Sequence, residues 1–251
     1  MDIRQIKAID MHSHFNHGVL HEPATTPEHI RELNYLIQMN KAANIEISMY
    51  STFSSVLHPE LVVEENAYLF EFVQEYDWMY QWVVIDPRNP ATYRQASKML
   101  NHGKCVGIKL HPGSHKYDFT EFGDEIFSFA AEYGAIVKIH PMTSCIEFVP
   151  FADKYPDVTF ILAHLSGPDF ANAINMAKHR NIYTDTSSSS SSLNHTVEYT
   201  VEQGCSDRIL FGTDTYAAGF QRGRIEYALI SEEDKANILR NNALQLFGRF
   251  F

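Results

Sequence analysis

The sequence predicts an α/β protein folded as a (β/α)8 TIM barrel. Short apolar or β-branched segments alternate with helical patterns along the 251 residues, and they predict strands at 8–14, 45–50, 79–85, 106–110, 135–140, 158–164, 182–186 and 208–212. The strand centres recur about every 29 residues, which is the length of one strand-and-helix unit, and eight such units close a barrel. No glycine-rich phosphate loop follows the first strand, which disfavours an open doubly wound sheet.

Helix starts are recognisable between the predicted strands. Thr26 and Asn89 are each followed by proline, which combines a capping side chain with the residue preferred at the first helical position. Ser231 and Asp234 form a variant capping box that opens a last helix of regular apolar periodicity. No linker, repeat or proline-rich boundary interrupts the pattern, so we predict one barrel domain over residues 1–251.

Composition narrows the class of protein. The net charge is −11 and no basic cluster occurs, which argues against nucleic acid or an anionic membrane as a partner. The odd number of cysteines (Cys105, Cys145 and Cys205), with no Cys-x-x-Cys pair, predicts free thiols in a reducing compartment. No leader opens the chain and no apolar run approaches the ~18 residues of a membrane span. We therefore expect a cytoplasmic protein.

Histidine and aspartate residues collect where predicted strands end. His12 and His14 lie two apart on one strand and so project from the same face. His140 ends the fifth strand, His164 ends the sixth, and Asp214 follows the eighth. One such histidine would be an ordinary polar residue of the rim, but the C-terminal ends of barrel strands all meet at one mouth. Four histidines and an aspartate there predict a metal site.

Several motifs together resemble a known family. They are Gly-Ile-Lys-Leu-His-Pro at 107–112, Ala-His-Leu-Ser-Gly at 163–167, Gly-Thr-Asp at 212–214 and Asn-Ala-Leu-Gln-Leu-Phe at 242–247. With the His-x-His strand, they make the chain similar, nearly end to end, to the amidohydrolase superfamily. The resemblance is to the amidohydrolase-related branch that includes aminocarboxymuconate-semialdehyde decarboxylase. It implies one divalent metal held by His12, His14, His140 and Asp214, with His164 beside the metal-bound water.

The chemistry of these side chains agrees with the implied roles. Three imidazoles and a carboxylate suit Zn²⁺, with Mn, Ni, Fe or Co as alternatives. A catalytic site leaves one position for water, whose pKa then falls to about 7. His164, with an ordinary pKa near 6.5, could accept a proton from that water. Asp214 could bind metal through one oxygen and transfer a proton through the other, so we assign His164 and Asp214 as catalytic.

Lys109 leaves the number of metals open. In binuclear members of the superfamily a carboxylated lysine of strand 4 bridges two metals, and the histidines of strands 5 and 6 bind the second. Lys109, His140 and His164 could supply that arrangement. In the decarboxylase-like branch a lysine in this motif accompanies a single metal. We favour one metal, with Lys109 as a charge-balancing cation or a contact to a substrate carboxylate, and with His111, on the same face, as a further contact.

Other polar residues near the predicted mouth have less definite roles. His17 and His21, in the loop after strand 1, and His115 are candidate substrate contacts. The six-serine run 187–192 is expected to be a flexible polar loop with at most a minor role in binding an oxygen-rich ligand.

Three functions fit these residues. We favour a hydrolase in which metal-activated water attacks an ester, lactone or amide of a small organic acid, because water activation is the default chemistry of such a site. The alternative is a non-oxidative decarboxylase (a lyase) that uses the same metal site. A catalytically inactive metal-binding barrel is the third. The expected partner is a small carboxylate-bearing molecule, and barrels of this branch often form homodimers.

Overall fold

Eight parallel strands form the sheet of this protein. The structure is a computed structural model and describes residues 2–15, 27–192, 195–214 and 218–251. The strands are β1 Ala8–Phe15, β2 Ile45–Thr52, β3 Met79–Val84, β4 Cys105–Leu110, β5 Ile136–Ile139, β6 Phe160–Leu162, β7 Ile182–Asp185 and β8 Ile209–Leu210. Each strand pairs in parallel with the next along the chain. The predicted (β/α)8 barrel is therefore confirmed.

Helices connect the strands and cover the sheet. They are α1 Pro27–Ala42, α2 Phe53–Leu57, α3 Val62–Val73, α4 Pro90–Met99, α5 Pro112–His115, α6 Phe119–Glu132, α7 Val149–Lys154, α8 Pro168–Met176, α9 Thr196–Glu202, α10 Ala218–Glu226, α11 Glu232–Ala236 and α12 Asn242–Phe247. Short 3₁₀ turns lie at Ile3–Gln5, Pro59–Leu61, Cys145–Phe148, Ser189–Ser192, Ser206–Arg208 and Gly248–Phe250. Apolar faces of these helices pack on the outward side of the strands to form the main core.

Backbone hydrogen bonds join the last strand to the first. The amide of Met11 donates to the carbonyl of Phe211 at 3.0 Å. The amides of Thr213 and Asp214 both donate to the carbonyl of His12, at 3.0 and 2.8 Å. These bonds bring the two ends of the sheet together and place Asp214 directly beside His12, although the two residues are 202 positions apart in sequence.

The predicted helix starts agree with the structure where it describes them. Asn89 caps α4 by accepting from the amide of Ala91, and Ser231 caps α11 by accepting from the amide of Asp234. Thr26 lies outside the described residues. The predicted last helix is not uniform, because a π-helical turn over Asn237–Asn241 separates α11 from α12.

The wider turn has a packing consequence at the base of β8. It is followed by Asn242, whose side-chain amide donates to the carbonyls of Ser206 and Ile209, both at 2.8 Å. These carbonyls lie just before β8 and at its first residue. The amide of Asn242 therefore satisfies backbone groups at the start of a very short strand.

Side chains that cross between non-neighbouring strands fill the lower barrel. The indole of Trp82 on β3 donates to the carbonyl of Met11 on β1 at 2.9 Å. Lys138 on β5 donates to the same carbonyl at 3.2 Å and lies over the Trp82 ring. Phe247 of α12 packs edge-on against Trp82 with 5.7 Å between ring centroids. Trp82 is therefore part of the core, and the candidate metal-binding side chains lie at the opposite end of the barrel.

Two further expectations concern cysteines and membranes. All three cysteines are buried free thiols. Within the described ranges, no helix has the length and apolar character needed to cross a bilayer.

Candidate metal and catalytic site

The five predicted side chains meet at the C-terminal end of the barrel. His12, His164 and Asp214 each offer a ligand atom within 4.8 Å of the others. Asp214 Oδ1 lies 3.7 Å from Nε2 of His12 and 3.3 Å from Nε2 of His14. His140 joins the cluster through His164, with 3.1 Å between its Nδ1 and Nε2 of His164. Residues distant in sequence thus converge on one small volume.

Backbone conformation aims two of these side chains. The histidine pair lies within β1 rather than at its end, since β1 continues to Phe15. His164 and Asp214 lie beyond the ends of β6 and β8, with φ of 66° and 57°. Such left-handed backbone is uncommon outside glycine and costs on the order of 1–3 kcal/mol when the surroundings enforce it. The hydrogen bond from the amide of Asp214 to the carbonyl of His12 helps to hold one of these turns.

A buried aspartate ties β1 to the segment after β8 beneath the cluster. Asp10 accepts from the amide of His12 at 3.0 Å and from the amide and hydroxyl of Thr213 at 3.1 and 2.6 Å. Burial raises the pKa of Asp10 to about 7, while its bonds to Thr213 and His12 oppose that rise. Asp10 therefore fixes the spacing between the two segments that carry His12 and Asp214.

The outer nitrogen of each β1 histidine has a hydrogen-bond acceptor. Nδ1 of His12 lies 2.9 Å from Oδ2 of Asp185, and Nδ1 of His14 lies 3.3 Å from the carbonyl oxygen of Ser51. Histidines that bind metals usually donate their other ring N–H to a carboxylate or a backbone carbonyl in this way. In both residues Nε2 then faces Asp214. The nitrogen and oxygen donors therefore fit a divalent metal ion.

Burial sets the charge state of the donors. It lowers the pKa of His14 to about 4, against the opposing effect of Asp214, and the pKa of His140 to about 3. It also lowers the pKa of His12 and His164. Burial alone would raise the pKa of Asp214, but the hydrogen bond from His14 and nearby positive charge outweigh it, and the net shift is downward. Neutral imidazoles and an ionised carboxylate are the forms that bind metal.

Lys109 enters the cluster from β4. It is fully buried, and its Nζ lies 3.3 Å from Nε2 of His12. Burial lowers the pKa of Lys109 to about 8, and the charges of Asp185 and Asp214 oppose that shift. The structure thus places Lys109 among the candidate metal-binding side chains.

His111 lies at the edge of the site and also serves the local fold. Its ring lies 4.2 Å from that of His140, centroid to centroid. Its Nδ1 accepts from the amide of Ser114 and so caps the start of α5 at 3.3 Å. Burial lowers the pKa of His111 to about 2, which leaves the ring neutral.

Of the other candidate substrate contacts, His115 is the one among the described residues. His17 and His21 lie outside the described residues. His115 is buried, and its Nε2 lies 2.9 Å from the carbonyl oxygen of Ser55. That hydrogen bond gives His115 a structural role between α2 and α5.

Asp185 and Ser187 are site residues that sequence reasoning missed. Asp185 is fully buried at the end of β7 and accepts from His12, from the amide of His164 and from both the amide and the hydroxyl of Ser187. The expectation of a flexible polar loop at 187–192 is wrong at its start, because Ser187 and Ser191 are fully buried and hydrogen-bonded. The sequence could have indicated Asp185, because this residue ends its strand at the same barrel mouth as the predicted ligands.

A cleft opens beside the cluster. Its volume is about 280 Å³, close to the lower end of the range for small-molecule pockets. Its lining comprises His140, Pro141, Ala163, His164, Ser166, Phe170, Ser188, Ser190 and Asp214. A lining that combines three serines with His140, His164 and Asp214 suits a small polar molecule.

Close packing beneath the cluster depends on a glycine. A Cβ atom on Gly212 would lie 2.8 Å from Cβ of His12 and 3.0 Å from Cβ of Ser187. We expect Gly212→Ala to destabilise the fold by about 1–3 kcal/mol, because neither Cβ can move without its buried backbone. Denaturant unfolding measures the loss. Gly103→Ala is the matched control, since a Cβ there meets nothing within 4 Å, and equal stability of the two variants would contradict the packing argument.

The fold and this cluster define a class, the barrels that present metal-binding side chains at the C-terminal ends of their strands. The sequence model of one family, described as amidohydrolase, matches residues 9–249. The chain therefore belongs to the amidohydrolase family. A comparison with curated proteins finds no match.

Solved structures share the fold along nearly the whole chain. They include 5-carboxyvanillate decarboxylase from Sphingomonas paucimobilis, at a TM-score of 0.73 and 14% identity over 96% of this chain and 99% of that one. Dihydroxybenzoic acid decarboxylase from Polaromonas sp. JS666, with bound manganese, has a TM-score of 0.74 and 16% identity over 96% of both chains. A probable 2-pyrone-4,6-dicarboxylic acid hydrolase from Acinetobacter baumannii has a TM-score of 0.69 and 14% identity over 97% and 100%. At these identities the likeness shows the fold.

Proposed function

We propose that this protein is a metal-dependent enzyme that decarboxylates a small carboxylate-bearing molecule without an oxidant. The observation that carries the proposal is the cluster of His12, His164 and Asp214, with ligand atoms within 4.8 Å, at the mouth of an amidohydrolase-family barrel. Hydrolysis, the reaction favoured from the sequence, would use the same side chains. Decarboxylation is preferred because decarboxylases of carboxylated aromatic compounds are prominent among the proteins of similar fold.

His12, His14, His140 and Asp214 would hold a single divalent ion, and His164 would lie beside it. Three imidazoles and one carboxylate suit Zn²⁺, while the manganese in the Polaromonas structure makes Mn²⁺ the second candidate. A bound ion would supply Lewis acidity toward an oxygen of the substrate or of water. Lys109 would remain unmodified and act as a cation of the site.

The balance of charge supports an anionic substrate. The carboxylates of Asp185 and Asp214 are accompanied by the Lys109 ammonium group, and a divalent ion would leave one positive charge in excess. Deeper in the barrel, burial raises the pKa of Asp10 and lowers that of Lys138, so both groups tend to lose their charge. A carboxylate entering the cleft would neutralise the excess, which favours its binding at low dielectric.

Decarboxylation of this kind requires a proton donor and no electron acceptor. The bond between the carboxyl carbon and the substrate carbon breaks, carbon dioxide departs, and the electron pair left on the substrate carbon takes up a proton. His164 and Asp214 both line the cleft, and each would take up a proton from the substrate or solvent and then return it to that carbon. Both histidine contacts of Asp214 described above fall on Oδ1, which leaves Oδ2 for this transfer.

Hydrolysis is the second candidate function. Its specific support is the likeness to the probable 2-pyrone-4,6-dicarboxylic acid hydrolase, a protein named for action on a cyclic ester with two carboxyl groups. In that reaction His164 or Asp214 would accept the proton of an attacking water. The substrate would still carry a carboxylate.

A paired substrate screen tests the proposal. Purified protein loaded with Zn²⁺ or Mn²⁺ is incubated with hydroxylated aromatic and enoic carboxylates, and released carbon dioxide is measured. Carboxylate-bearing lactones and esters are screened in parallel for acid release. We expect carbon dioxide release from at least one aromatic or enoic acid. Turnover of lactones or esters alone would replace the proposal by hydrolysis, and no metal-dependent turnover in either set would reject both reactions.

A further inference from the structure

One buried hydroxyl group joins two histidines of the cluster, His12 and His164. Oγ of Ser187 lies 2.8 Å from Nδ1 of His12 and 2.8 Å from Nδ1 of His164. The same hydroxyl donates to Oδ1 of Asp185. Ser187 and Asp185 are both fully buried, so these contacts are made without competition from bulk water.

Counting protons fixes the direction of each hydrogen bond. A carboxylate only accepts, so the single hydroxyl proton of Ser187 is committed to Asp185. The oxygen of Ser187 can then only accept, and Nδ1 of His164 must carry the proton that it accepts. Nδ1 of His12 faces two acceptors, Asp185 Oδ2 at 2.9 Å and Ser187 Oγ, and must also carry a proton.

The Nε2 atoms of His12 and His164 therefore carry no proton. In a neutral imidazole with its proton on Nδ1, the Nε2 atom presents a lone pair. Nε2 of His12 lies 3.7 Å from Asp214 Oδ1, inside the cluster. Nε2 of His164 lies 3.1 Å from Nδ1 of His140, so that His140 must donate to it. His140 then has its own Nε2 available for a ligand.

We propose that Ser187 and Asp185 are positioning residues that hold the protons of His12 and His164 on Nδ1. Ser187 couples the two imidazoles through one acceptor, so that His164 directs the lone pair of Nε2 toward His140 in the cluster. This inference deepens the proposed function and rests on it for the role of His164, but it is independent of whether the reaction is decarboxylation or hydrolysis.

The same serine run supplies a matched comparison. Ser191 is also fully buried, and its hydroxyl donates to the backbone carbonyl of Thr186, with the carbonyl of Ser188 also near at 3.2 Å. Its contacts are with backbone and with Gln221 rather than with an imidazole. Ser191→Ala thus removes a buried hydroxyl from the same segment while the histidine contacts of Ser187 are kept.

The test reads the tautomers directly. The full chain is prepared with ¹⁵N-labelled histidine, metal-free and with Zn²⁺, and long-range ¹H–¹⁵N correlation spectra show which ring nitrogen carries the proton. His164→Gln and His12→Asn assign the two rings. We expect both rings to carry the proton on Nδ1 in the metal-free wild type. In Ser187→Ala the tautomer ratio of His164 is expected to shift roughly tenfold toward Nε2–H, because its acceptor is lost.

The outcomes separate this inference from the proposed function. His12 is expected to keep its proton on Nδ1 in Ser187→Ala, since Asp185 still accepts from it, and Ser191→Ala is expected to leave both rings unchanged. A wild-type His164 protonated on Nε2, or a Ser187→Ala spectrum identical to wild type, would overturn the inference. Failure of the substrate screen with the expected tautomers present would reject the proposed reaction and leave the positioning role intact.

Discussion

Asp214→Asn is expected to lower kcat by about 10²–10⁴ while the barrel stays folded. The amide keeps the shape of the side chain, and the backbone bond from residue 214 to the carbonyl of His12 is unaffected. What is lost is the negative charge beside His12 and His14 and the ability of residue 214 to accept a proton, a contribution of that size in general acid–base catalysis. Steady-state kinetics on the substrate found by the screen measures the effect.

Metal content must be measured alongside, because Asp214 is proposed to act in two ways. Near-wild-type metal with low kcat would assign the loss to proton transfer, whereas parallel loss of both would assign it to ligation. Asp86→Asn is the matched control, since Asp86 is bound by Arg88 at 2.8 Å rather than by a histidine. Full turnover by Asp214→Asn would show that Asp214 has no catalytic role.

The barrel could be predicted from sequence because its determinants are local. Each strand is predicted by a short run of residues that favour β structure. The regular spacing of these runs leaves few alternatives to a closed parallel sheet. The convergence of His12, His140, His164 and Asp214 then follows from topology alone. The strand ends of a closed barrel share one mouth, so side chains located at those ends must be near one another.

The supporting contacts were beyond sequence reasoning because they depend on strand register and backbone direction. Asp185 contacts Nδ1 of His12 across the segment after β8. That segment has a glycine, Gly212, at the crossing point, and the absence of a side chain there lets β7 and β1 approach closely. In the sequence, Ser187 is the first residue of a low-complexity tract. Six consecutive serines carry no pattern that indicates which of them is buried. The π-helical turn before Asn242 was equally hidden, since its apolar pattern is that of an ordinary helix.

The choice between hydrolysis and decarboxylation was open at the sequence level for a chemical reason. Both reactions use nitrogen and carboxylate donors, a polarised oxygen and a proton acceptor, which are the groups that His12, His164 and Asp214 supply. What separates the reactions is the bond that the substrate presents to these groups. The serine-lined cleft, with Phe170 on its wall, is therefore where specificity is expected to reside.

His12→Ala and His14→Ala are both expected to abolish metal binding, with a different effect on stability. Each removes one nitrogen donor facing Asp214, and even partners outside the coordination sphere cost 10–100-fold in metal affinity when lost, so removal of a ligand should cost at least about that much. His12→Ala also strips the buried Asp185 and Lys109 of a partner and leaves a cavity, a cost of about 1–3 kcal/mol for the unpaired group alone. His14→Ala removes the contacts to the Ser51 carbonyl and to the partly exposed Asp214, so a smaller loss of stability is expected.

Elemental analysis and denaturant unfolding of the two variants measure these effects, with His179→Ala, an exposed histidine in a turn, as control. We expect about one metal per chain in wild type and in the control, with the unmodified mass for Lys109. Two metals per wild-type chain, together with the extra mass of a carboxyl group on Lys109, would instead establish the bridged pair. Undiminished metal in His14→Ala would remove His14 from the ligand set. Because that variant keeps the bonds between His12 and Asp185, its result stands even if His12→Ala does not fold.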